Sequence, residues 1–262
     1  MKVLFLGNSH TFYNDMPQIF KDICRERGKE AEVTMQAHPD VTYEWHYNEM
    51  TELRFALLYG DFDYLVMQQA AHKPCPTKEQ TIEYGGKIID LARKCGVTPI
   101  QALPWAEKND PDHQKEMYEI YQAFSDYYHV KLTCTGYVFE EVLLHHPDIN
   151  MYWNDEKHAS PYGSYAVAMA TYCAIFNESV KGLSPLSYCN YPISDENWAR
   201  IKAGFMAARK EPENKELMEK AYEVYRAFSF PVIDREKTSY RLDPEKASIL
   251  QDLVDRFGLD KG

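Results

Sequence analysis

The period of the hydrophobic pattern switches repeatedly along this chain, and that switching limits the folds open to it. Short runs rich in Val, Leu and Ile have the length and composition of strands: "KVLFL" (2–6), "EVTMQ" (32–36), "YLVMQ" (64–68), "TPIQAL" (98–103) and "VKLTC" (130–134). Between them apolar residues recur at helical spacing. Met16, Ile19, Phe20 and Ile23 form one such face, Ile82, Gly85 and Ile89 a second, and Met117, Ile120, Tyr121 and Phe124 a third. Asn14 or Asp15 is the expected N-cap of the first helix, with Pro17 in its first turn. Strands alternating with helices predict a three-layer α/β/α domain around a five-stranded parallel sheet of flavodoxin-like type. Sheets of this kind bind ligands beyond the carboxyl ends of their strands.

Past residue 187 the alternation stops. Segments 195–210, 213–228 and 243–257 have helical patterns, and no further strand is expected. The chain therefore divides into an α/β domain, 1–187, and a helical C-terminal extension, 188–262, that packs on the core or on a partner. A homo-oligomer built through those helices is one expected use. No internal repeat or low-complexity tract interrupts either part.

The formal net charge of −11 and the lack of any basic stripe argue against a nucleic-acid or anionic-membrane partner. No apolar run nears the ~18 residues of a membrane span. The six cysteines form no CxxC pair and mostly sit on apolar faces, as reduced structural thiols do. With an opening run too short for a secretion leader, they predict a cytoplasmic protein; a leader removed ahead of Met1 stays compatible with this.

Ser9 stands where the first strand ends, in "LFLGNSHTFYND" (4–15), at the mouth of a strand-to-helix turn. A serine hydroxyl is a poor nucleophile until a base takes its proton, and the base needs a third group to orient it. "YWNDEKHASPYGSYAVA" (152–168) holds both: Asp155 and His158 are three residues apart, just before Ser160, Pro161 and a helical run. At that spacing a carboxylate can hold one ring nitrogen while the other faces Ser9.

These two blocks, Gly7-Asn8-Ser9 after the first strand and Asp155-Glu156-Lys157-His158 late in the domain, resemble the SGNH (GDSL-type) hydrolase superfamily over residues 1–187. "GNSHTFYNDMP", "DYLVMQQ" and "HASPYGSYAVAMATYCAIF" are similar to a bacterial branch of it whose substrates are poorly defined. The resemblance implies a Ser9–His158–Asp155 triad. It also implies an oxyanion hole made by the serine N–H, a glycine N–H after the second strand and an asparagine after the third. Here Asn8 replaces the usual aspartate, and "QAHPDVTYEW" has no glycine, leaving Ala37 or His38 to lend a backbone N–H. "MQQAAHKP" has no asparagine, leaving Gln68 or Gln69, of which Gln69 lies nearer the strand's carboxyl end.

Nine histidines raise the question of a metal, but His72, His113, His145 and His146 lack the i, i+4 spacing or paired carboxylates of a metal helix. No glycine-rich phosphate loop is present, so no metal and no cofactor is expected. Cys75, beyond the third strand, has no better claim to His158 than Ser9 has. Trp45, Trp105 and Trp153 fall around one rim, where aromatic faces suit sugar rings or acyl chains. Trp105 and Trp153, with Asn8 and His10, are the expected pocket lining. The expected function is a serine esterase that removes an acetyl or other short acyl group, plausibly from a carbohydrate. The rivals are an SGNH-fold binding protein with a decayed oxyanion hole and a lipase or thioesterase for longer chains.

Overall fold

The computed structural model describes residues 1–72, 75–227 and 235–260. Five parallel strands, β1 (Lys2–Gly7), β2 (Glu32–Ala37), β3 (Tyr64–Met67), β4 (Thr98–Gln101) and β5 (Lys131–Leu132), lie in the order β2-β1-β3-β4-β5. This is the flavodoxin-like order, whose switch point falls between β1 and β3. In β1 every residue from Val3 to Leu6 is fully buried, and the period of two sends alternate side chains to opposite cores. Val3 and Phe5 meet α2 (Met16–Glu26), α7 (Thr135–His145) and α8 (Pro161–Phe176). Leu4 and Leu6 meet α3 (Tyr43–Asn48), α4 (Glu52–Tyr59), α5 (Lys78–Lys94) and α6 (His113–Tyr128). A four-residue helix, α1 (Ser9–Phe12), follows β1 directly, and a 3-10 turn at Tyr13–Asp15 leads into α2.

β4 and β5 end sooner than the apolar runs suggest. After one further backbone bond, from Ala102 N to Met67 O, side chains take over: Leu103 N–H donates to Thr133 Oγ1 at 3.1 Å, and the Gln101 carboxamide accepts from Tyr43 Oη at 2.7 Å. Helix α8 is apolar nearly all round and is correspondingly buried, entered through Ser160, whose Oγ accepts from Tyr162 N at 3.1 Å and Gly163 N at 3.2 Å.

The C-terminal third contains α9 (Asp195–Lys210), α10 (Lys215–Arg226) and, after a four-residue helix α11 (Arg235–Thr238), α12 (Pro244–Gly258). Residue 228, the end of one expected helix, lies outside the described residues. The expectation of no further strand is corrected: β6 (Leu186–Tyr188) pairs antiparallel with β7 (Ser239–Arg241) in a separate two-stranded sheet. Three-residue strands are too short to show an alternating pattern. The expected boundary near 187 falls inside β6, and Leu250, Leu253 and Val254 of α12 join the same core as Val3 and Phe5. Among the described residues no helix is long and apolar enough to cross a membrane.

Because α12 is part of the main core, Leu250→Ala should cost about 2–5 kcal/mol in urea unfolding, whereas exposed Leu144→Ala should stay within about 0.5 kcal/mol. Equal, small effects would show that α12 is an accessory to the fold.

Candidate active site

The turn after β1 is held from both sides. The Gly7 carbonyl accepts from His46 Nε2 at 2.8 Å and His38 N at 3.3 Å. A Cβ at Gly7 would collide with the Thr11 hydroxyl and the Gln68 carboxamide, so only glycine lets the strand end this close to its neighbours. Asn8 caps α1: its Oδ1 accepts from His10 N at 3.1 Å, and its Nδ2 donates to Val41 O at 3.1 Å. Asn8 is therefore buried and committed to holding the turn, not to lining a pocket as expected.

The second block is a tight loop. An antiparallel bridge joins Tyr152 and Ala159, and Trp153 N–H donates to His158 O at 2.8 Å. Glu156 closes the loop with φ 64°. One oxygen of Asp155 accepts from Lys157 N and His158 N, both at 3.0 Å. The other lies 2.5 Å from His158 Nδ1, and His158 Nε2 lies 2.6 Å from Ser9 Oγ. Burial by itself would raise the Asp155 carboxyl. The hydrogen bond and charge of His158, with the two loop N–H groups, outweigh it and hold the carboxyl below its ordinary value. The structure thus brings Ser9, His158 and Asp155 into one hydrogen-bonded line, with an ionised carboxylate at its end.

Two rings from the α1 turn run nearly parallel to the His158 imidazole: Tyr13 at 4.0 Å and 9°, and His10 at 4.8 Å and 19°. His10 Nε2 shares a hydrogen bond with His72 Nδ1 at 3.0 Å. Burial, reinforced by His72 and His158, pushes His10 well below the usual imidazole value; burial and His158 push His72 down to about 3. Both are neutral near pH 7, so neither places a positive charge beside the His158 ring. His10 faces these rings and Trp105 from a buried position.

The tryptophans correct another expectation. Trp105 and Trp153 are 3% and 6% exposed, so neither forms an open rim, though Trp105 does line a small cavity with His10, Thr11 and Gln68. Trp105 Nε1 donates to Lys157 O at 2.9 Å, and its ring stacks on Phe139 at 4.4 Å. Trp153 Nε1 donates to Tyr191 O at 3.0 Å, and its ring meets Trp198 at 4.7 Å. Indoles whose N–H and faces are both occupied brace the 153–158 loop. Trp45, in contrast, is 39% exposed beside His38.

The glutamines are also reassigned. Gln69 Oε1 accepts from Tyr43 N at 2.9 Å and Ala70 N at 3.0 Å, committing that carboxamide to the start of α3. Gln68 is on the Ser9 side: its Oε1 accepts from Asn8 N at 3.3 Å and Thr11 Oγ1 at 3.1 Å, and its Nε2 donates to Gln69 O. The preference for Gln69 is thus reversed: just past the end of β3, Gln68 reaches the serine turn and Gln69 reaches α3. Ala37 stands opposite Gly7 in the sheet, and His38 N–H is taken by Gly7 O.

Sequence reasoning read Asn14 or Asp15 as a helix cap and missed the left-handed turn they form. Asn14 and Asp15 are both left-handed (φ 56° and 52°), a conformation costing about 1–2 kcal/mol per residue for ordinary side chains and best tolerated by Asn and Asp. Asp15 does sit at the N-cap of α2 but makes no cap hydrogen bond with its side chain. Asn14 Nδ2 donates to Ala159 O and Ser164 Oγ, both at 2.9 Å, tying this turn to the His158 loop and α8. An Asn-Asp pair just before a helix was the available signal. Cys75 Sγ lies 3.8 Å from His113 Nε2, and Glu116 shares the same nitrogen at 3.5 Å. Among the described residues no group of three or more His, Cys, Asp or Glu side chains could hold a metal ion.

No protein-family model matches the chain, and no curated protein matches it. Solved structures do. A protein of Slackia heliotrinireducens, provisionally named an SGNH hydrolase, is 23% identical with a TM-score of 0.56, over 67% of this chain and 98% of its own. A DUF4886 family protein from Bacteroides uniformis is 13% identical with a TM-score of 0.65, over 98% of this chain and 93% of its own. A mutant of an acetyl-xylooligosaccharide esterase from Geobacillus is 12% identical with a TM-score of 0.56, over 68% of this chain and 94% of its own. The five-stranded α/β architecture of this chain is the fold of the SGNH hydrolases.

Proposed function

We propose that the protein is a serine esterase acting on a short acyl ester, with Ser9, His158 and Asp155 as its triad. The observation that carries this reading is the unbroken line from Ser9 Oγ to His158 Nε2 (2.6 Å) and from His158 Nδ1 to Asp155 (2.5 Å). Ser9 Oγ attacks the ester carbonyl carbon while His158 Nε2 takes the hydroxyl proton, and ionised Asp155 stabilises the imidazolium. As the tetrahedral adduct collapses, His158 returns the proton to the departing alkoxide and the alcohol leaves. Water then attacks the acyl-serine, giving its proton to His158, and collapse releases the acid and restores Ser9. The Ser9 backbone N–H takes the oxyanion, with Gln68 fixing the turn that aims it.

An acetylated carbohydrate is the substrate class we favour. Half-exposed Trp45, beside His38 and against His46, which bonds the Gly7 carbonyl, offers a face for a sugar ring. The acetyl-xylooligosaccharide esterase that shares the fold lends support by analogy. One observation favours the rival reading of a weakly active binding protein: both glutamine carboxamides are engaged within the protein.

With p-nitrophenyl acetate, Ser9→Ala and His158→Ala should each lower kcat by at least ~1000-fold with thermal unfolding unchanged. Near-normal turnover by pure Ser9→Ala would remove the serine, and an inert wild type would favour the binding protein. Trp45→Ala should raise KM for an acetylated xylooligosaccharide about 5-fold or more while leaving p-nitrophenyl acetate within about 2-fold. Equal effects on both esters would count against a sugar platform. Gln68→Ala should lower kcat about 10- to 100-fold, whereas Gln69→Ala should act mainly on stability; the opposite pattern in kinetics and melting would reverse the assignment.

A further inference from the structure

The triad holds His158 at Nδ1 and Nε2, and the ring's bond to Cβ leaves only tilts of its plane to be set by neighbours. Two rings lie against that plane: His10 at 4.8 Å and 19° and, closer and more nearly parallel, the Tyr13 phenol at 4.0 Å and 9°. Tyr13 is buried, and two left-handed residues, Asn14 and Asp15, follow it. Its hydroxyl reaches the hydroxyl of Tyr225 in α10 at 3.1 Å, 212 residues away in sequence. Tyr191 stacks on Tyr13 at 4.5 Å and on Tyr225 at 5.8 Å, and its carbonyl accepts from Trp153 in the loop that carries Asp155. The helices α9 and α10 are thus joined to the base through its ring neighbour and through its loop.

We propose that Tyr13 is a positioning residue for the His158 imidazole and that Tyr225 of α10 holds Tyr13 in place, making the C-terminal helices part of the catalytic apparatus. The proposal rests on His158 serving Ser9 as base. A tilted imidazole misdirects Nε2 from Ser9 Oγ without touching the substrate, and misplacement by an ångström can cost about 10²-fold in rate. The loss therefore falls on kcat, with KM little changed. The phenol ring does the positioning, and the hydroxyl pair keeps the ring where it is.

The test measures kcat and KM for p-nitrophenyl acetate, the rate of Ser9 labelling by a fluorophosphonate, and thermal unfolding. The variants are Tyr13→Leu, Tyr13→Phe, Tyr225→Phe and the double phenylalanine variant. Tyr13→Leu should lower kcat and labelling about 30- to 100-fold with KM within about 3-fold. Tyr13→Phe should recover most of that loss. The two hydroxyl deletions should each cost about 3-fold or more, and the double variant no more than Tyr225→Phe alone, since both remove the Tyr13–Tyr225 contact and Tyr225→Phe also removes its bond to Tyr191. Wild-type kcat in a folded Tyr13→Leu variant, or a loss confined to KM, would overturn the role of Tyr13. If Tyr13→Leu does not fold, the phenylalanine pair decides: unchanged kcat in both singles, or additive losses, overturns the link to α10. A wild-type protein inert to both the ester and the fluorophosphonate overturns the hydrolase reading itself, whereas a reactive wild type with equally reactive variants overturns this inference alone.

Discussion

Everything in this molecule is built outward from one strand that belongs to two cores. β1 has no solvent face: Val3 and Phe5 are locked among α2, α7, α8 and α12, and Leu4 and Leu6 among α3, α4, α5 and α6. Each such side chain contributes about 1.5–3 kcal/mol on burial, and all four depend on a single register. A slip of one residue would exchange the two sets and move the end of the strand with them. Since Ser9 lies two residues beyond that end, hydrophobic packing deep in the sheet determines where the hydroxyl stands.

At the end of the strand, polar groups take over from apolar ones. Gly7 admits Thr11 and Gln68 at close range, Asn8 caps the short helix, and Asn14 ties the turn to the His158 loop. These hydrogen bonds offset the left-handed backbone at Asn14 and Asp15, a form of strain that persists only where its surroundings over-determine it. The electrostatics follow the same division. A single carboxylate, Asp155, is kept charged by hydrogen bonds, while His10 and His72 are kept neutral by burial. The imidazole between them and the serine has one charged partner to answer to.

Much of this was legible in the sequence because it is local. Five apolar runs located the strands, and three-residue spacing was enough to bring Asp155 to His158. Legibility failed where a side chain's meaning depends on distant chain. Trp153 looks like a rim residue until Tyr191 and Trp198 cover it. Gln68 and Gln69 are neighbours just past the end of β3, and only their distant partners tell which faces the serine turn. β6 and β7 are too short to announce themselves, and Tyr13 acquires its place from α10, a partner no local pattern could nominate.

The small β6–β7 sheet bears on how such a site can change. Tyr188 pairs with Ser239, so residues 189–238 leave and re-enter the body at one point. Core strands and α12 hold on either side of that clasp. A segment with adjoining ends can be exchanged, lengthened or shortened with little consequence for the scaffold beneath it. Because Tyr191 and Tyr225 lie within that excursion, relatives of this fold that replace it would retune the setting of the base while the sheet that bears the serine stays as inherited.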